Sequence, residues 1–199
     1  MTDSETFLKV EAVTQQANQS CVIACLLTAY KCITKEPFDF AIAEREIYTS
    51  SFDLYPKSLV LSHVAGFIRF FNDVKVHLWI DSPRLCTFLQ QLNKEQRVET
   101  LHQEITTSWI KDLLGRSDSP ILLYVDGLYL WYPRHLSVED VFHAPHFICV
   151  YSYSPNTFGI IDTTYGEKRE LTEKMLTECI FGLKYQLLWS PIVITLEKV

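Results

Sequence analysis

Cys21 heads an apolar run, Ser20-Cys-Val-Ile-Ala-Cys-Leu-Leu-Thr-Ala-Tyr-Lys-Cys32, in which Ala and Leu recur at helical spacing. Ser20 is a favoured N-cap type, so Cys21 is expected in the first turn of a buried helix. There the unpaired backbone N–H groups and the helix dipole favour an anion, and a thiol ionises more readily than it does inside the helix. Gln15 lies six positions earlier. At that spacing a side-chain amide on the incoming loop can point at the same oxyanion as the Cys21 N–H, an oxyanion hole in outline. His146 opens one β-rich run and Asp162 closes the next, sixteen positions on. In an antiparallel hairpin those ends meet. The carboxylate then orients the imidazole, which takes the thiol proton and later delivers it to a leaving group.

Each of these residues has a competing role. Gln19 and Cys25 repeat the Gln-x5-Cys spacing, although Cys25 falls one turn inside the helix, where a thiol is less exposed and less activated. His143 offers a second base from the loop before the strand. Asp162 can simply cap the Thr-Thr-Tyr-Gly turn that follows it. The aromatic segment 129–132 can be core, lid or substrate contact. His63, His77, His102 and His135 lack the companions that a metal site needs, so neither a metal nor a cofactor is expected.

Elements that hold such a set can be read along the chain. Helices are expected over 21–34, 40–48 and 58–72, then a strand over 74–80, helices over 83–93 and 106–114, and loop in the rest of 82–114. Pro120-Ile-Leu-Leu-Tyr-Val125 reads as a central strand. Residues 146–153 and 157–162 read as two strands joined by Ser-Pro-Asn, 170–179 as a helix, and 185–196 as a final strand broken at Ser190-Pro191. Helices first and strands after predict an α+β fold with an antiparallel sheet. With 199 residues, six glycines, eight prolines and no linker or repeat, one domain over 1–199 is the expected count. Apolar residues make up 48% and charged residues 21%, which excludes a disordered tail.

The ordered wording resembles a known family. Gln15-Gln-Ala-Asn-Gln-Ser-Cys21-Val-Ile-Ala-Cys25-Leu-Leu is similar to the nucleophile segment of the bacteriocin-processing, double-glycine leader peptidases. Pro145-His146-Phe-Ile-Cys-Val-Tyr-Ser-Tyr and Gly159-Ile-Ile-Asp162-Thr-Thr-Tyr-Gly166-Glu-Lys-Arg-Glu-Leu171 resemble that family's His strand, Asp strand, turn and following helix. The resemblance spans residues 15–175, with family-atypical insertions near 82–117 and 126–144. It implies a papain-like cysteine protease fold, an N-terminal nucleophile helix packed on an antiparallel sheet, with Cys21 as nucleophile, His146 as base, Asp162 as orienter and Gln15 as oxyanion donor. Val22 departs from it, since the family prefers Gly after the nucleophile. The 199 residues include no transporter portion, so export coupled to cleavage is not implied.

The leading expectation is therefore a cysteine hydrolase that cleaves a peptide or amide bond through an acyl-enzyme, with a peptide or protein as substrate. An acyltransferase or transglutaminase-like enzyme uses the same thioester, and Val22 motivates a third reading, an inactive binding module on the same scaffold. The net charge of −6 and the absence of like-charge blocks argue against nucleic acid. No stretch reaches the roughly 18 apolar residues of a membrane span. The acidic, polar start lacks a secretory signal, and six cysteines without CxxC spacing argue against a disulfide framework, so the expected location is cytoplasmic.

Overall fold

The computed structural model describes residues 6–17, 19–131 and 143–199. A two-residue strand, β1 (Thr6–Phe7), leads through an extended approach to α1 (Cys21–Thr34), α2 (Phe40–Ser51) and α3 (Leu59–Phe70). Next come β2 (Val74–Ile80), α4 (Pro83–Leu92), β3 (Val98–His102), α5 (Thr107–Leu114), β4 (Ile121–Asp126) and the single turn α6 (Leu128–Trp131). The chain ends with β5 (Pro145–Tyr153), β6 (Thr157–Asp162), β7 (Glu167–Thr172), α7 (Glu173–Phe181), a π-helical turn at Gly182–Gln186 and β8 (Ile192–Lys198).

The α+β reading holds, but the sheet is mixed rather than antiparallel. Its order is β3-β2-β8-β4-β5-β6-β7, and β1 takes the edge of β5 that β4 leaves free. β2 and β3 run parallel, Val76 opposite Val98 through Ile80 opposite His102. Parallel neighbours need a crossover, which α4 supplies. The expectation of loop after 93 missed β3 because Val-Glu-Thr-Leu-His buries only Val98 and Thr100 and turns its charge outward.

Two further boundaries differ. Glu167–Thr172 pairs along β6, so the helix expected from 170 starts at Glu173. That strand carries Glu-Lys-Arg-Glu and reads as solvated helix, yet its alternation turns Arg169 and Leu171 inward, and the Arg169 guanidinium donates to the Leu130 carbonyl at 2.7 Å. The strand expected from 185 begins only at Ile192. The residues before it wind into the π turn, and Leu188 takes a φ of 55°, which no strand accommodates.

Both faces of the sheet are covered. Leu122, Phe147, Cys149 and Ile194 pack with α1 to α4, whereas Ile121, Leu123, Ile148, Val150 and Val193 pack with α5 and α7. That two-sided burial is why β4 and β5 read as unbroken apolar runs instead of alternating ones. α1 is enclosed along its length, buried from Val22 to Tyr30, so its sequence is apolar all round. Among the described residues no helix is long and apolar enough to cross a membrane.

Lys35 ends α1 in the left-handed region at φ 57°, its N–H donating to the Lys31 carbonyl at 3.0 Å. A left-handed L residue costs about 1–2 kcal/mol, and the extra freedom of glycine in the unfolded chain offsets about half of that. Lys35→Gly is therefore expected to stabilise the protein by about 0.5–1 kcal/mol. Urea denaturation measures this; a loss of stability contradicts the assigned cap.

Candidate active site

The approach to α1 is held by a carboxylate that sequence reading passed over. Glu44, on α2 and 1% exposed, accepts from the Gln16 N–H at 3.0 Å, from the Ala17 N–H at 3.3 Å and from the Ser20 hydroxyl. The Ser20 hydroxyl also contacts the Ala17 carbonyl at 2.7 Å. Ser20 occupies the N-cap position without capping: its ψ of 11° is not extended, and its side chain accepts nothing from α1. The expectation from its residue type was a self-capped helix. Instead the first-turn N–H groups of α1 stay available to an anion at Cys21. Glu44 shares the buried stripe of α2 with Ile47 and Ser51 at positions three and seven further on. A charged residue on that stripe is the signal that marks it.

Cys21, His146 and Asp162 form one connected set. His146 is the second residue of β5 and is 5% exposed, while Asp162 closes β6 and is fully buried. The hairpin register, Cys149 opposite Ile161, brings those two ends together. His146 Nε2 lies 3.0 Å from Asp162 Oδ1 and 3.4 Å from the Thr164 hydroxyl, and the ring stands near enough to Cys21 to draw its thiol pKa down. With Nε2 committed to the carboxylate, Nδ1 is the nitrogen left for the thiol.

The electrostatics follow from that contact. Burial alone raises the Cys21 pKa, but the hydrogen bond and charge of His146 outweigh it, helped by the backbone at Phe147 and Val22, and the thiol sits below its ordinary value. Burial also disfavours a charged His146, yet Asp162 and Cys21 together raise the imidazole to about 9. Burial pushes Asp162 up while His146, Trp131 and the Thr164 backbone pull it down, to about 2. Both shifts move the pair towards thiolate and imidazolium.

Asp162 does both jobs that its sequence position allowed. Besides orienting His146, its Oδ1 accepts the Thr164 N–H at 3.0 Å and its carbonyl accepts the Gly166 N–H at 2.9 Å. Its second oxygen accepts Trp131 Nε1–H at 3.0 Å, and the Trp131 ring lies 5.6 Å from the His146 ring. Trp131, expected as core, lid or substrate contact, thus braces the carboxylate. Tyr132 and His135 lie outside the described residues.

The alternatives are placed elsewhere. Cys25 is fully buried, its thiol meets the Phe147 carbonyl at 3.5 Å, and burial holds its pKa well above the usual range. His143 pairs with Asp126, not with Cys21. Gln15 is anchored through its backbone N–H to the Thr163 carbonyl at 2.8 Å, directly beside Asp162. Its side-chain oxygen is buried and has no hydrogen-bond partner among the described residues. No group of three or more His, Cys, Asp or Glu among the described residues is arranged to hold a metal ion.

Glu44→Ala leaves two backbone N–H groups without their acceptor, at a cost of about 2 kcal/mol or more. Glu44→Gln keeps one acceptor oxygen and is expected to lose distinctly less. Urea denaturation of both variants decides it, and equal losses contradict the anchoring role. No family model, no curated protein and no solved structure matches the chain, so the geometry of the site itself carries the functional reading.

Proposed function

We propose that the protein is a papain-like cysteine hydrolase that cleaves a peptide or amide bond through an acyl-enzyme on Cys21. The observation that carries this reading is the half-buried thiol, shifted towards thiolate by an imidazole that a buried carboxylate orients. The α+β frame supports it too, with the nucleophile heading an enclosed helix and the His and Asp on neighbouring strands.

In the reaction, the Cys21 sulfur bonds to the substrate carbonyl carbon, and negative charge moves to the oxygen. The backbone N–H at the head of α1 and the Gln15 amide N–H donate to that oxyanion. As the tetrahedral species collapses, the C–N bond breaks and His146 gives its proton to the departing amine. Asp162 keeps the ring in place and balances its charge while protonated. A water then loses a proton to His146 and attacks the thioester carbon, the C–S bond breaks, and the acid and the thiol are restored. Free thiols at all six cysteines fit a cytoplasmic, reducing location.

The test is acyl transfer itself. Incubation with an activated acyl ester is expected to leave the acyl group on Cys21 in the intact mass spectrum, and Cys21→Ala is expected to lose it. Gln15→Ala is expected to lower turnover by about 10²–10³-fold, the scale of one oxyanion donor. With an amide substrate the rate is expected to fall above pH about 9, where His146 loses the proton that the leaving group needs. Acylation that persists without Cys21 contradicts the assignment.

A further inference from the structure

A cavity of about 680 Å³ opens beside Cys21. One wall is an aromatic stack, with Phe147 and Tyr124 4.6 Å apart between ring centroids and Tyr124 and Trp189 6.1 Å apart. Leu59 and Leu89 line the cavity with them. Among the described residues that line it there is no carboxylate, and the one charged side chain, Lys57, is exposed. Such a space is shaped for a large uncharged group, and a pair of glycines has no side chain to fill it.

His63, from α3, lines the same cavity and is 2% exposed. Its Nδ1 is buried and has no hydrogen-bond partner among the described residues. A buried polar atom left unpaired is costly, and native structures rarely keep one without a reason. The Tyr48 ring lies beside the imidazole, 5.7 Å between centroids, and supplies no charge. Burial lowers the His63 pKa to about 4, so the ring is neutral near pH 7. A neutral imidazole presents one donor and one acceptor, and a hydroxyl group, being both, can pair with either nitrogen.

We propose that this cavity is the specificity pocket of the Cys21 site, that it takes one neutral aromatic side chain next to the reacting carbonyl, and that His63 reads a hydroxyl at its tip. The proposal rests on Cys21 being the nucleophile. A cationic side chain finds no carboxylate among the described lining residues, and the one cation there, Lys57, is exposed to solvent.

Three alkylating reagents separate the two claims: chloroacetamide, its N-phenethyl derivative and its para-hydroxyphenethyl derivative. In each, the Cys21 thiolate forms a C–S bond at the methylene carbon and chloride leaves, while His146 keeps the proton. Rates at Cys21 are read by peptide mass spectrometry on the folded full chain. The phenethyl reagent is expected to react at least about tenfold faster than chloroacetamide, and the hydroxyphenethyl reagent about tenfold faster again, the scale of one hydrogen bond. His63→Leu is expected to bring the hydroxyl ratio close to one, and His63→Gln to restore part of it. Leu59→Asp, at an exposed rim position, is expected to lower the phenethyl ratio. Selective labelling of Cys21 by chloroacetamide with no gain from either aromatic reagent overturns the pocket and leaves the nucleophile standing. A hydroxyl preference that survives His63→Leu overturns the role of His63, and indifference to Leu59→Asp overturns the seating of the ring. Failure of all three reagents to select Cys21 overturns the nucleophile and the pocket together.

Discussion

A protonated imidazole whose side chain is 6% exposed persists only if opposite charge stands close to it. In this protein the Asp162 carboxylate stands at Nε2, and Cys21, whose pKa the imidazole draws below its ordinary value, raises that of the ring in turn. The rest of the site exists to keep those partners in place. Trp131 and the Thr164 backbone hold the two carboxylate oxygens, so Asp162 cannot turn away from the ring. The hairpin of β5 and β6 sets the distance between His and Asp, and the enclosed helix α1 sets the position of the sulfur.

Glu44 solves a related problem at the other end of the site. The loop into α1 must turn sharply, and Gln19 adopts a φ of 67° two residues before Cys21. Backbone in that region is strained for any residue with a side chain, and it persists when its surroundings fix it. Glu44 fixes it by gathering two backbone N–H groups and the Ser20 hydroxyl. Ser20, at ψ 11°, lacks the extended backbone of a capping residue, so its hydroxyl does not cap α1 and the head of the helix stays open to an anion.

Much of this was legible in the sequence because local pattern and tertiary role agree. Apolar periodicity located α1, the runs at 146–153 and 157–162 located the hairpin, and their ends named His146 and Asp162. The failures share a cause. β3 and β7 carry charge on their outward positions, so Val98 and Thr100, or Arg169 and Leu171, are too few to announce a strand without knowledge of its neighbour. Leu188, 83% exposed, reads as strand core and is turn surface. Glu44 and Trp131 were missed for a different reason: their worth lies in partners 24 and 31 positions away, which spacing along one element does not reveal.

The central claim is that Cys21 is ionised by His146. Its most direct test is the rate of iodoacetamide alkylation at Cys21, followed from pH 5 to 9 by peptide mass spectrometry in the wild type and in His146→Ala. The account predicts that Cys21 reacts ahead of the other cysteines, with a midpoint below that of a free thiol at about 8.5, and that the mutant's midpoint moves up to or beyond that value. Slow labelling spread over several cysteines, or a profile indifferent to His146, would contradict it.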